Sequence, residues 1–202
     1  MRTGPLRGAR TPAAPARLTV TAPASRVRLR ITDLPGLLYR VSTPAGSGLA
    51  PVVIRTGSTV RVGLRPTGDD GPETIDILLN RAARWHVRLI AGAGEQHLDL
   101  TGGRISALEL GAGVGLVRIR LPRPGGTVEV RLTGSVGRAE IVAPAGVPVR
   151  IGAGAAIETL TVPWAARTVP AGTHLTPRGW ATAAERYRLD VAMSVGTLTV
   201  RE

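Results

Sequence analysis

Cysteine and phenylalanine are absent, and none of the 26 basic residues is a lysine. The lack of cysteine excludes disulfides, thiolate metal sites and cysteine nucleophiles, while leaving the compartment open. The lack of lysine excludes the Gly-Lys pair of a phosphate-binding loop. Aromatics are confined to Trp85, Trp164, Trp180, Tyr39 and Tyr187. The core therefore falls to Val, Leu, Ile and Ala, which suits thin, regular layers. No stretch approaches the roughly 18 apolar residues that a transmembrane helix needs. Met1 to Ala16 has Arg2, Arg7 and Arg10 but no apolar run of the secretory type. Its glycines and prolines also argue against an amphipathic transit helix, and a cytoplasmic location is expected.

The chain has 202 residues, 43% of them apolar, which is enough for one domain with a continuous core. Abundant Ala, Gly, Pro and Arg, with Asn only at Asn80, resemble the product of a high-GC genome. Codon bias then accounts for much of the arginine. The formal charge of +12 is unevenly spread. Residues 1–32 hold seven arginines and no acid; in residues 33–202, 19 arginines face 14 acids, leaving only +5. A basic leader and first strands of this kind can hold phosphates or anionic lipid heads by electrostatics alone. Arg7, Arg10, Arg17, Arg26, Arg28 and Arg30 are the candidate anion contacts. Few aromatics interleave with them, so a base-stacking platform is poorly supported.

An internal repeat organises the rest. Five segments share alternating apolar residues, a small-residue turn, then alternation again. They start at Val87, Leu108, Val128, Val147 and Leu189. The spacings are 21, 20, 19 and 42 residues, the last as though Trp164 to Ala184 were inserted. A period near 20 with two short strands per repeat is the pattern of a β-solenoid. Alternation turns Val, Leu and Ile inward and Arg, Glu, Asp and Thr outward. Gly111, Gly113, Gly152 and Gly154 are expected to serve positive φ or close coil approach. Pro122, Pro144 and Pro163 stand where strands end. Upstream, segments 17–21, 26–32, 37–42, 52–56, 59–64 and 74–79 also read as strands. Residues 182–188 have room for one helical turn at most. The expected organisation is a flexible basic leader over 1–16 and one continuous β-domain over 17–202. That domain divides into N-terminal strands at 17–84, rungs at 85–163, an insertion at 164–184 and a final rung at 185–202.

Thr74-Ile-Asp-Ile, the Gly-Ala-Gly turns at 92–94, 111–113 and 152–154, the proline-ended strands and the closing Ser-Val-Gly-Thr-Leu-Thr-Val carry a resemblance. From Glu73 to Val200 the chain resembles the bacterial putative-adhesin and cell-wall-active-antibiotic-response β-domains, also called toast-rack-like. The resemblance implies stacked β-structure without established catalytic residues, often joined to membrane segments and linked to envelope stress.

Candidate chemistry is sparse. Gly111-Ala-Gly113-Val-Gly115 fails the dinucleotide pattern at Leu116 and leads into a strand, with no helix N-terminus for a pyrophosphate. His86, His97 and His174 are scattered, and His97 with Asp99 lacks a nucleophile elbow. Asp69, Asp70, Glu73 and Asp76 cluster at a loop without EF-hand spacing. Glu109, Glu129, Glu140 and Glu158 alternate with Arg118, Arg120, Arg131 and Arg150, as cross-strand charge pairs do. A glycan-cleaving carboxylate pair is the sharper alternative there. The sequence thus points to a non-enzymatic β-solenoid interaction or scaffold domain without cofactor or metal. Its partner is another protein or a second copy, through solenoid faces or open ends. The alternative is a binder of nucleic acid, lipid head groups or acidic glycans through the arginine-rich N-terminal part.

Overall fold

The computed structural model describes residues 6–9, as backbone, and residues 15–202. Among the described residues every regular element is a strand. In chain order they begin with β1 (Leu6–Ala9), β2 (Ala16–Val20), β3 (Ala24–Thr32), β4 (Leu37–Ser42), β5 (Leu49–Thr56), β6 (Thr59–Pro66) and β7 (Thr74–Asn80). Next come β8 (Arg84–Leu89), β9 (Ala93–Asp99), β10 (Arg104–Leu110), β11 (Val114–Arg120), β12 (Thr127–Leu132) and β13 (Val136–Val142). The chain closes with β14 (Val149–Ala153), β15 (Ile157–Val162), β16 (Ala165–Val169), β17 (Thr173–Leu175), β18 (Arg186–Val191) and β19 (Val195–Arg201). Residues 182–188 form turn and strand, not a helical turn. Part of the segment read as a leader, Leu6–Ala9, is itself a strand on the edge of a sheet.

Two sheets face each other. One runs β1-β4-β7-β3-β9-β11-β13-β19-β15-β16, the other β17-β14-β18-β12-β10-β8-β2-β6-β5. Each rung gives one strand to each sheet, and rungs pair in parallel. Aliphatic ladders run through the middle. In the nine-stranded sheet Val60, Leu18, Val87, Leu108, Val130, Leu189 and Ile151 succeed one another in register. Opposite them stand Ile77, Leu29, Leu98, Ile119, Ile141 and Val200. All are buried, and each such side chain contributes about 1.5–3 kcal/mol when fully withdrawn from water. The inward set expected at 108, 110, 117, 119, 121, 128, 130 and 132 belongs to this single core.

Spatial order departs from chain order at both ends. The β2–β3 rung lies between β6–β7 and β8–β9, and the closing β18–β19 rung lies between β12–β13 and β14–β15. Links 81–83 and 143–148 each step over the intercalated rung. Arg81 N–H donates to Thr32 O, and Ala143 N–H donates to Arg201 O, both at 2.8 Å. The 164–184 insertion builds no rung. Its strands β16 and β17 run antiparallel along the outer edges of the two sheets, and at the other end β4 and β5 also run antiparallel, β4 being covered in turn by β1.

Glycine geometry corrects one expectation. None of Gly111, Gly113, Gly152 and Gly154 is among the positive-φ glycines, which include Gly57 in the β5–β6 hairpin (φ 57°) and Gly126 before β12 (φ 97°). Close approach does hold at Gly111, Gly152 and Gly154, where a Cβ would stand 3.1–3.2 Å from Ile90, Asp190 and Val191 respectively, and it is tighter in a column across the ten-stranded sheet. A Cβ on Gly94, Gly115, Gly137 or Gly196 would stand 2.7–2.8 Å from the carbonyl oxygen of Ser25, Gly94, Gly115 or Gly137 respectively. Only glycine permits that stacking. A Cβ on Gly113 would meet nothing within 4 Å.

Candidate anion-binding face

The six candidate arginines do not form one site. Arg17 lies in β2, on the nine-stranded sheet, beside His86 of β8. Arg10 lies outside the described residues. Arg26, Arg28 and Arg30 alternate along β3 on the outer face of the ten-stranded sheet, with Val27, Leu29 and Ile31 turned inward. Arg26 Nε donates to Glu95 at 2.9 Å, and Arg28 lies 3.9 Å from Asp76. Arg30 has no ion-pair partner among the described residues.

Cross-strand register extends the row containing Arg30. Going across the sheet, the positions are Arg40 (β4), Leu78 (β7), Arg30 (β3), Asp99 (β9), Arg120 (β11), Val142 (β13) and Arg201 (β19). Arginines thus occupy every second strand. Strands lie about 4.8 Å apart, so the cations recur at about 10 Å over a row of about 29 Å. Arg7 of β1 is the register partner of Arg40 on the adjacent strand, so the alternation ends at Arg40. Among the described residues none of Arg40, Arg30, Arg120 and Arg201 is in an ion pair. Arg40 Nε is shut from solvent without a hydrogen-bond partner. Asp99 stands between Arg30 and Arg120 without an ion pair to either among the described residues, its Oδ1 accepting from the Thr101 hydroxyl at 2.6 Å, and the row keeps a net positive charge.

The adjacent row is different. There Ser42, Asp76, Arg28, His97, Arg118 and Glu140 follow one another, and Arg118 Nε donates to Glu140 at 3.1 Å. One row is therefore internally neutralised and its neighbour is not. A depression of about 630 Å³ lies over Arg28, Arg30, Leu78, His97, Asp99 and Arg120. Another, of about 510 Å³, continues from Arg118 and Arg120 past Glu140 and Val142 to Arg201 and Glu202. The two share Arg118 and Arg120 and form a trough that holds Arg30, Arg120 and Arg201 but not Arg40.

The other candidate groups disperse. His97 Nε2 is 3.2 Å from Glu95 Oε2, and Asp99 Oδ1 accepts from the hydroxyl and N–H of Thr101. Glu109 pairs with Arg88 and Glu129 with Arg131 on the nine-stranded sheet, whereas Glu140 pairs with Arg118 on the other. Glu158 lies on that second sheet too, in β15. Glu109, Glu129 and Glu140 thus face arginines, not each other. In the acidic loop, Ser25 donates to Glu73, and the buried Ser47 donates to Pro72 O. Among the described residues no three His, Cys, Asp or Glu side chains gather to hold a metal. Nor is any helix there long and apolar enough to cross a membrane. Arg40, Arg120 and Arg201 were not among the sequence candidates. Their signal, a basic residue at one outward position on alternate strands, becomes visible only once strand order is known.

Residues 52–142 match the family model described as the N-terminal domain of toast_rack, DUF2154. No curated protein matches the chain. Among solved structures, a "putative cell adhesion protein" from Clostridium sporogenes superposes with a TM-score of 0.63 over 99% of both chains, at 14% identity. Residues 52–142 are thus similar to the toast-rack N-terminal domain family, and the likeness to the solved structure extends over the stacked-rung fold of the chain.

Proposed function

We propose that this protein is a non-enzymatic interaction domain that holds an anionic polymer along the outer face of its ten-stranded sheet. The observation that carries the reading is the unpaired arginine row on a trough-shaped, rigid surface. A cation left without a partner on a sheet where its neighbours pair is available for an external anion. The adhesion-type name of the structural neighbour supports an interaction role. Self-association by end-to-end stacking is less well supported. Edge strand β5 carries Pro51, which has no N–H to offer. At the opposite edge β17 has only three residues.

The test is retention of the full chain on an immobilised polyanion as salt is raised. Arg30→Glu with Arg120→Glu is expected to elute at lower salt and to reduce the log–log salt slope by about 2. Removing residues 1–14 is expected to weaken retention less. Unchanged retention of the double variant would end the assignment to this face.

A further inference from the structure

The spacing within the row narrows the polymer. We propose that the trough takes an acidic polysaccharide in which a carboxylated sugar alternates with a neutral one. This rests on the anion-binding reading above and adds a register to it.

Arg40, Arg30, Arg120 and Arg201 are separated by Leu78, Asp99 and Val142. The cations recur every two strands, about 10 Å, which is close to the length of an extended disaccharide. The guanidiniums of Arg30, Arg120 and Arg201, which line the two depressions, can each meet one carboxylate by paired N–H donors. The positions between them suit a neutral sugar. Leu78 and Val142 are half-buried and offer apolar surface to the C–H face of a pyranose ring. Asp99, also half-buried, keeps acceptor capacity for a sugar hydroxyl.

Single-stranded nucleic acid fits less well. Its phosphates recur more closely than the row, and no Trp, Tyr or Phe lines either depression for base stacking. A bilayer is flat, whereas the row lies in a trough without an apolar protrusion to insert.

The experiment titrates the full chain at low salt with three oligomers: a hyaluronan octasaccharide, an octagalacturonate and an oligothymidylate. Hyaluronan has one carboxylate per disaccharide, galacturonate has one per sugar, and oligothymidylate supplies phosphates. The expected order puts hyaluronan first, by about tenfold or more, since one matched charge-assisted contact is worth that factor. Arg30→Gln and Arg120→Gln are each expected to weaken hyaluronan binding about tenfold. Arg61→Gln and Arg131→Gln, on the nine-stranded sheet and outside both depressions, are expected to change it less than about threefold. These are exposed positions, and thermal midpoints within a few degrees of the parent would confirm intact folding. Equal affinity for hyaluronan and galacturonate would overturn the register while leaving anion binding in place, and equal losses from the two sheets would overturn the assignment to this face. Tightest binding of oligothymidylate would overturn it in favour of nucleic acid. Absence of binding to all three would overturn the broader reading as well.

Discussion

Arg88 and Glu109 meet across β8 and β10 by two contacts, Nε to Oε2 at 2.8 Å and Nη2 to Oε1 at 3.3 Å. The hydrogen bond from Arg88 holds the Glu109 carboxyl below its ordinary range, against the opposing effect of burial. Glu109 therefore stays ionised further into acid in the fold than in the unfolded chain. Its contribution is complete above the ordinary carboxylate value near 4.5. It is lost as pH falls through that value towards the lower folded one. Glu109→Gln is expected to remove this part of the acid sensitivity and to cost about 1 kcal/mol or less at neutral pH. Denaturant midpoints from pH 7 to pH 3 provide the check. An unchanged pH profile would show that the pair contributes nothing measurable.

His86 lies beside that pair and acts earlier on the pH scale. Burial, then Arg17 and Arg88, push its pKa below the ordinary 6.5. The folded protein keeps the imidazole neutral where the unfolded chain would protonate it. Stability from this group is present above pH 6.5 and declines as pH falls towards the lower folded value. His86→Gln is expected to flatten stability just below pH 6.5. A decline of the same size in the variant would assign it to other groups.

The glycine column makes a paired prediction. Gly115→Val places a β-branched side chain against the Gly94 carbonyl, and forced overpacking costs about 1–3 kcal/mol. For a domain of this size that lowers the melting temperature by roughly 2–4 °C per kcal/mol. Gly113→Val meets open space and is expected to shift it little. Thermal unfolding of the two variants beside the parent decides the matter, and equal shifts would refute the column.

Tyr187 donates its buried hydroxyl to Pro122 O at 2.6 Å, and burial pushes the phenol pKa well up. Tyr187→Phe removes the donor and leaves a buried carbonyl without its partner, at a cost of about 1–3 kcal/mol. Urea unfolding should show a lower midpoint with an unchanged slope. No loss would mean that the carbonyl finds another donor.

Val117, Ile119 and Leu121 alternate with arginines, and that alone made the inward face of β11 and the rung pattern legible. Order in space was not legible, because every rung carries the same aliphatic alternation and none bears an address for its neighbour. The arginine row was hidden for the same reason: Arg40 and Arg201 are 161 positions apart in a chain whose register the sequence does not state. Gly113 was misjudged because a glycine looks alike whether it relieves a clash or faces open space. Asn80 was noted only as the single asparagine. It is a buried staple, with Nδ2 donating to Leu34 O and Leu37 O, and Oδ1 accepting from Ala82 N–H.

The intercalated β18–β19 rung bears on how the fold comes apart. A stack built in chain order could peel from its ends, each rung leaving with only the loss of one neighbour. Here β14 and β15 cannot join the other rungs until β18 and β19 fill the gap, and β6 and β7 depend on β2 and β3 in the same way. The two keystone rungs make the array close to all-or-none. Backbone amides in β18 and β19 should then exchange only through global opening, as slowly as those of the central β10 and β11.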